Sequence, residues 1–418
     1  MTSFFSSAPR IPKDAIFALT AQYKSDTSPV KVNLGQGAYR DNAALPWILP
    51  SVAEARERIS NHKLDHEYLP ILGLPEFRQA ACKLAIGPTK FGSVASRIAS
   101  CQSLSGTGGL HLAGSLIKAC SSLKPQVWIP EPTWSNHHLV FSSLGFECRS
   151  FQYYDFERKR IDMNAYKKML QNAEPHSIVI LHACAHNPTG CDPTKDQWQE
   201  IGRIMKERQL FPLLDAAYLG FNSGSIDDDA YAIRYFINDL GMEASVSMSF
   251  AKNMGLYGER VGCTFVVTQN AEIAENTESV MERLQRSEVS NPPAYGAKIA
   301  SMILNDAKLT EMWYADLITM CSRIREMRHA LYNLLVENGA PGDWTHVTSQ
   351  SGMFSFLGLP RDIVIKLKEQ YHIYMAENSR ISLAGLNTSN VAYVAKAISE
   401  CIRADTRPST GPSVSSVL

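Results

Sequence analysis

Long apolar runs are missing from this sequence. No stretch approaches the roughly 18 apolar residues that a membrane-spanning helix requires. Ser177 to Ala185 is among the richest, and His182 interrupts it, so no membrane partner is expected. An excess of charge of either sign is missing too: 41 Lys+Arg balance 41 Asp+Glu, for a formal net charge of zero. Nucleic acid demands a basic footprint and is not an expected partner. The nine cysteines lie scattered between Cys82 and Cys401, with no C-x-x-C pair and no finger-like histidine spacing. Such usage suits reduced thiols better than a disulfide framework, and no metal site is expected. Met1 to Lys13 holds no acidic residue and carries Ser3, Ser6, Ser7, Arg10 and Lys13. It is too short and too weakly basic for a transit peptide, and it has no signal-peptide core. Ser416-Val417-Leu418 lacks the lysine of the peroxisomal tripeptide. A cytoplasmic location is the expectation.

What is present is a long chain rich in core-forming residues: 418 in all, 45% of them hydrophobic. That length predicts two or three structural domains. Short apolar runs alternate with amphipathic stretches, the pattern of βα units around a mostly parallel sheet. Val127-Trp128-Ile129 reads as a buried strand stopped by Pro130 and Pro132. Further strands are read at Ile178 to Leu181, Leu210 to Leu214, Val246 to Met248 and Cys263 to Val267, with Pro212 counting against a strand interior. Thr194-x-x-Gln197 is a capping-box signature opening a helix with Trp198, Ile201, Ile204 and Met205 on one face. A long helical pattern around Ala307 to Asn338 suggests a helix leading into a second domain, and Arg407 to Leu418 reads as a loosely held tail.

Four segments carry chemistry. In Ser249-Phe250-Ala251-Lys252-Asn253 a lysine follows a strand among small and apolar neighbours. Desolvation lowers an amine's pKa and frees it for Schiff-base formation. Arg260, eight positions on, is placed to hold an anion near it. In Leu213-Leu214-Asp215-Ala216-Ala217-Tyr218 an acid ends an apolar strand. It reads either as a turn cap or as the partner of a pyridinium nitrogen. His182 to Gly190 is a turn after a strand; its His182–His186 pair lacks a third ligand, and Pro188 blocks a continuing helix, so zinc is rejected. Ser105-Gly106-Thr107-Gly108-Gly109 opens a helix with hydroxyls and unhindered amides. It reads as a phosphate-monoester cradle, without the lysine of a nucleotide-binding loop.

Together these segments resemble the aspartate aminotransferase family of fold-type I enzymes, which use pyridoxal 5′-phosphate. The likeness runs from about Ile16 to Arg403 and includes Val32 to Arg40, His66 to Ile71, Pro132 to His137, Ser290 to Pro293 and Ser379 to Ser382. It implies an α/β fold: a mostly parallel seven-stranded sheet flanked by helices, with a smaller α/β domain from both chain ends. The boundaries it implies are 1–46 for the N-terminal arm and part of the small domain, 47–319 for the cofactor domain, 320–405 for the small domain and 406–418 for a flexible tail. Lys252 would bind the cofactor covalently and shuttle a proton, and Asp215 would pair with the ring nitrogen. Tyr218 and Asn187 would donate to the ring oxygen, and Trp134 would stack on the ring. Ser105, Gly106, Thr107, Ser249 and Arg260 would hold the phosphate, joined by Tyr68 from the second subunit of a homodimer. Gly37, Trp134 and Asn187 would border the substrate. Arg380 would grip its α-carboxylate, and Arg286, across the dimer, its side-chain carboxylate. The implied reaction is ping-pong transfer of an amino group between aspartate or glutamate and a 2-oxo acid.

The sequence departs from that family at Gln36, Ala251, Leu219, Glu288 and Ser379, and at Gly109 and His111. Gln36, Ala251 and Glu288 leave open a specialised transaminase, or a lyase- or decarboxylase-like relative. A non-catalytic scaffold is the remaining reading, opposed by the presence of Lys252 and Asp215.

Overall fold

The chain is described by a computed structural model over residues 3–61 and 65–405. The expected tail at 406–418 lies outside the described residues. Its centre is a seven-stranded sheet. In chain order the strands are β1 (Ile98–Leu104), β2 (Gln126–Glu131), β3 (Glu147–Gln152), β4 (Ile178–His182), β5 (Phe211–Ala216), β6 (Ala244–Ser249) and β7 (Val261–Val267). Across the sheet they run β1-β7-β6-β5-β4-β2-β3. Only β7 is antiparallel to its neighbours.

Alternation along the strands builds two cores at once. Ile178, Ile180 and Leu213 join one apolar cluster, while Val179, Leu181 and Leu214 join the other. A period of two sends successive side chains to opposite faces, so a sheet covered on both faces reads as continuous apolar sequence. Helix α1 (Ser105–Cys120) packs on β6 and β7, and α2 (Lys195–Glu207) opens on the expected box between Thr194 and Gln197. Helix α3 (Ala271–Glu288) lies against β1 and α1. The long pattern near Ala307 is a single helix, α4 (Ala307–Glu337). The chain ends meet where Val32–Asn33 pairs in parallel with Ile373–Tyr374. Beside them β8 (Phe354–Phe356) pairs antiparallel with β9 (Arg380–Ser382). Among the described residues no helix is long and apolar enough to cross a membrane.

Two proline expectations are corrected. Pro130 does not stop β2, which continues to Glu131, because beyond Trp128 the strand is paired with β3 alone. Pro212 lies inside β5, between two neighbours. The Phe211 N–H donates toward β4, to Ser177 O, so alternation turns the Pro212 nitrogen toward β6. Pairing with β6 starts only at Leu213, and no ladder bond is lost. Strands β1 and β3 escaped the sequence reading because Ser100, Gln102, Ser103, Glu147 and Arg149 break their apolar pattern.

Candidate active site

The carboxyl ends of β4, β5 and β6 deliver His182, Asp215 and Ser249 to one crevice edge, where open α/β sheets bind ligands. The turn after β6 brings Lys252 over the ring of Tyr218, with Nζ 5.5 Å from the ring centroid. Burial pushes the Lys252 amine below its ordinary pKa; Asp215 opposes that shift and Arg260 adds to it. Asp215 is buried, and its Oδ2 lies 3.0 Å from His137 Nε2. Burial, the largest single influence, pushes the carboxyl up, but the His137 hydrogen bond together with the charges of His137, His182 and Lys252 leaves the net pKa lowered. Its Oδ1 is buried with no hydrogen-bond partner. An unpaired buried carboxylate oxygen is costly, and a cationic ring N–H is the kind of group that satisfies it.

The anion cradle forms where β1 turns into α1. Ser105 sits at φ 59°, its N–H donates to Arg260 O at 3.1 Å, and its Oγ lies 2.7 Å from Ser249 Oγ. No side chain caps the start of α1, which leaves the amides of Gly106 and Thr107 available to an anion. A Cβ at Gly106 would come within 3.4 Å of Ser249 Cβ. The Arg260 guanidinium is exposed and donates to Tyr257 O at 3.0 Å. This combination fits a phosphorylated pyridine aldehyde: an amine, a ring-nitrogen acceptor and a phosphate cradle on one sheet edge.

A second guanidinium closes the site from the small sheet. Arg380 opens β9 and lies over the ring of Phe354 on β8, 4.4 Å from its centroid. It donates to Gly35 O at 2.9 Å and to Asn187 Oδ1 at 3.4 Å, and its Nε is buried without a partner. Burial lowers its pKa. Buried Arg328 holds the Phe354 segment by donating to the carbonyls of Gly352 at 3.0 Å and Phe354 at 2.7 Å. The turn before Asn187 is held by Asp192, which accepts the N–H groups of Ala185 and His186 at 2.7 and 2.8 Å. Gly37 abuts the same aromatic, since a Cβ there would stand 3.2 Å from Phe354 Cζ. Trp134 packs edge-on to His137, 5.5 Å between ring centroids.

The single chain does not join every expected residue to this crevice. Tyr68 is 87% exposed, and Arg286, exposed near the end of α3, donates to Ser290 Oγ at 2.6 Å. Glu288 does not bond to Arg286; its Oε1 lies 3.3 Å from His111 Nδ1 and accepts from Ser115 Oγ at 3.2 Å. Gln36 Oε1 accepts from Arg40 at 3.2 Å. Ala251 leaves its N–H donating to Ser249 Oγ at 3.2 Å. Sequence reasoning missed the supporting residues His137, Thr133, Asp192, Phe354 and Arg328. Thr133 Oγ1 bridges His137 Nδ1 at 2.8 Å and His182 Nε2 at 3.1 Å. The signal for His137 was its place at the end of the Pro132 to His137 segment, three residues after Trp134.

The chain matches the model of aminotransferase class I and II over residues 29–398. It is 44% identical to the cytoplasmic aspartate aminotransferase of Saccharomyces cerevisiae, over 96% of this chain and 97% of that protein. It is 45% identical to the mitochondrial aspartate aminotransferase of Schizosaccharomyces pombe, over 94% of this chain and 90% of that protein. An aromatic-amino-acid aminotransferase of Burkholderia pseudomallei, solved covalently bound to pyridoxal phosphate, superposes with a TM-score of 0.93 at 36% identity. That match covers 96% of this chain and 100% of the other.

Proposed function

We propose, because this chain belongs to the class I and II aminotransferase family, that it moves the amino group between aspartate or glutamate and a 2-oxo acid in a ping-pong cycle. Pyridoxal 5′-phosphate is the cofactor; when bound it supplies an aldehyde for amine capture and an electron sink for charge at the substrate Cα. The observation that carries this reading is the enclosed Lys252 amine beside a buried Asp215 with one oxygen unspent.

Lys252, whose amine burial makes easier to deprotonate, would bind the cofactor aldehyde and carry a proton to and from the substrate Cα. Asp215, whose Oδ2 is occupied by His137 and whose Oδ1 is free, would pair with the ring nitrogen. Tyr218 and Asn187 would donate to the ring oxygen, and Trp134 would cover the ring face. Ser105, Gly106, Thr107, Ser249 and Arg260 hold the phosphate. Arg380 grips the α-carboxylate with its planar fork, next to Gly37. In the homodimer that we also propose, Tyr68 and Arg286 serve the neighbouring subunit's site, which accounts for their exposure in one chain. We assign residues 1–46, 47–319 and 320–405 to arm, cofactor domain and small domain. Relatives carry both cytoplasmic and mitochondrial names, and we favour the cytoplasm for this chain.

The test is purified holoenzyme supplied with aspartate and 2-oxoglutarate, alongside Arg286→Leu. Oxaloacetate and glutamate form in equal amounts with the wild type. Arg286→Leu lowers kcat/KM for aspartate by about thirty-fold to several thousand-fold, while a neutral amino donor is far less affected. Carbon loss from aspartate, or no reaction with any acidic donor, rejects the reading.

A further inference from the structure

Ser379 stands immediately before Arg380 and departs from the glycine common in the resembling family. Its backbone is left-handed, at φ 63°, a conformation that favours glycine and resists a side chain. The residue is fully buried. A serine kept at such a position needs compensation, and the structure contains it. Ser379 Oγ accepts the N–H of Gly358 at 2.8 Å and of Leu359 at 3.1 Å. The Leu357 N–H donates to Ser379 O at 3.2 Å. Three consecutive amides thus converge on one residue, and two of them depend on its hydroxyl.

Those amides lie just beyond β8, which carries Phe354 under the Arg380 guanidinium. Phe356 on β8 is the register partner of Arg380 on β9. The hydroxyl therefore ties the exit of one strand to the entry of the other, at the level of the guanidinium. With glycine or alanine at 379, the Gly358 and Leu359 amides lose their acceptor in a buried place. They then regain a partner only by shifting the turn, and Arg380 moves with it. The geometry points to Ser379 as a positioning residue: its hydroxyl fixes the β8–β9 pair so that Arg380 is pre-aimed at the substrate α-carboxylate. This rests on the assignment of Arg380 given above.

The test compares Ser379→Gly, Ser379→Ala and Arg380→Lys with wild-type holoenzyme. Ser379→Gly removes the backbone strain and the hydroxyl together, whereas Ser379→Ala keeps the strain. A role through the hydroxyl raises KM for aspartate about tenfold in both, with kcat within about twofold and the absorption band of the lysine-bound cofactor unchanged. A KM within about twofold of wild type in Ser379→Gly overturns the inference. Arg380→Lys separates the two levels: a raised KM there with a normal Ser379→Gly sinks only the role of Ser379. A normal KM in Arg380→Lys sinks the arginine assignment itself. Should neither Ser379 variant fold, hydrogen exchange on the wild-type holoenzyme decides. Slow exchange at the Gly358 and Leu359 amides supports the tie, and exchange as fast as in open loops overturns it.

Discussion

An amine enclosed as Lys252 is sheds its proton at lower pH than one in water, because burial penalises the ammonium form. Two results follow at the scale of this residue. Cofactor capture by the cofactor-free protein rises with pH and levels off at a lower pH than an exposed lysine needs. Stability also responds: between the lowered pKa and the unfolded value near 10.4, the unfolded chain binds more protons than the folded one. The cofactor-free fold therefore gains stability as pH rises through that window. Lys252→Met removes the buried charge, abolishes transamination and raises the cofactor-free melting temperature at pH 7 by about 2 °C. A lower melting temperature would contradict the account of an unfavourably buried ammonium. Lys252 and Asp215 were legible in the sequence because one follows and the other lies at the end of a recognisable apolar strand. The Asp215–His137 pair was not, because it joins side chains from elements 78 residues apart. Nor were the Ser379 contacts, which depend on a backbone angle that no spacing rule reveals.

At the scale of elements, the segment following β5 is held by carboxylates rather than by apolar packing alone. Asp229 accepts the N–H groups of Asn222 and Ser223 at 3.1 and 3.2 Å. Burial pushes its pKa up to about 6, against those hydrogen bonds. A raised carboxyl pKa means that its contribution to stability is complete below the unfolded value and lost as pH rises through about 6. Asp229→Asn keeps an acceptor and removes the charge. Its melting temperature relative to wild type should improve from pH 5 to pH 8, by the equivalent of roughly 1.5 kcal/mol at most. An unchanged difference across that range would show that Asp229 titrates normally. Helix α2 was readable in advance because Thr194 and Gln197 mark its start within the sequence itself. β1 was hidden because its buried polar groups are satisfied by distant partners, as when Gln102 donates to Pro293 O at 2.8 Å, and β3 because it is an edge strand that exposes Glu147 and Gln152.

At the scale of the whole molecule, the sheet gathers the amine, the carboxylate and the phosphate cradle, but leaves Tyr68 and Arg286 facing outward. The proposed homodimer with shared sites would explain that split, and mixing two inactive variants tests it. Lys252→Ala destroys a subunit's own site, while Arg286→Leu damages only its neighbour's. In a hybrid dimer the intact lysine and the intact arginine meet in one site. Random mixing should therefore restore about a quarter of wild-type aspartate activity from two nearly inactive parents. Self-contained sites would yield no recovery. The two-ended small layer was anticipated through family resemblance; composition and periodicity alone gave no sign that Val32–Asn33 would pair with Ile373–Tyr374.

The central claim is that the Lys252 amine holds the cofactor aldehyde. Borohydride reduction of the holoenzyme, followed by digestion and mass spectrometry, tests it most directly. The account predicts one pyridoxyl-phosphate mass addition, on the peptide containing Lys252. Label on another lysine, or none after full cofactor loading, would contradict it.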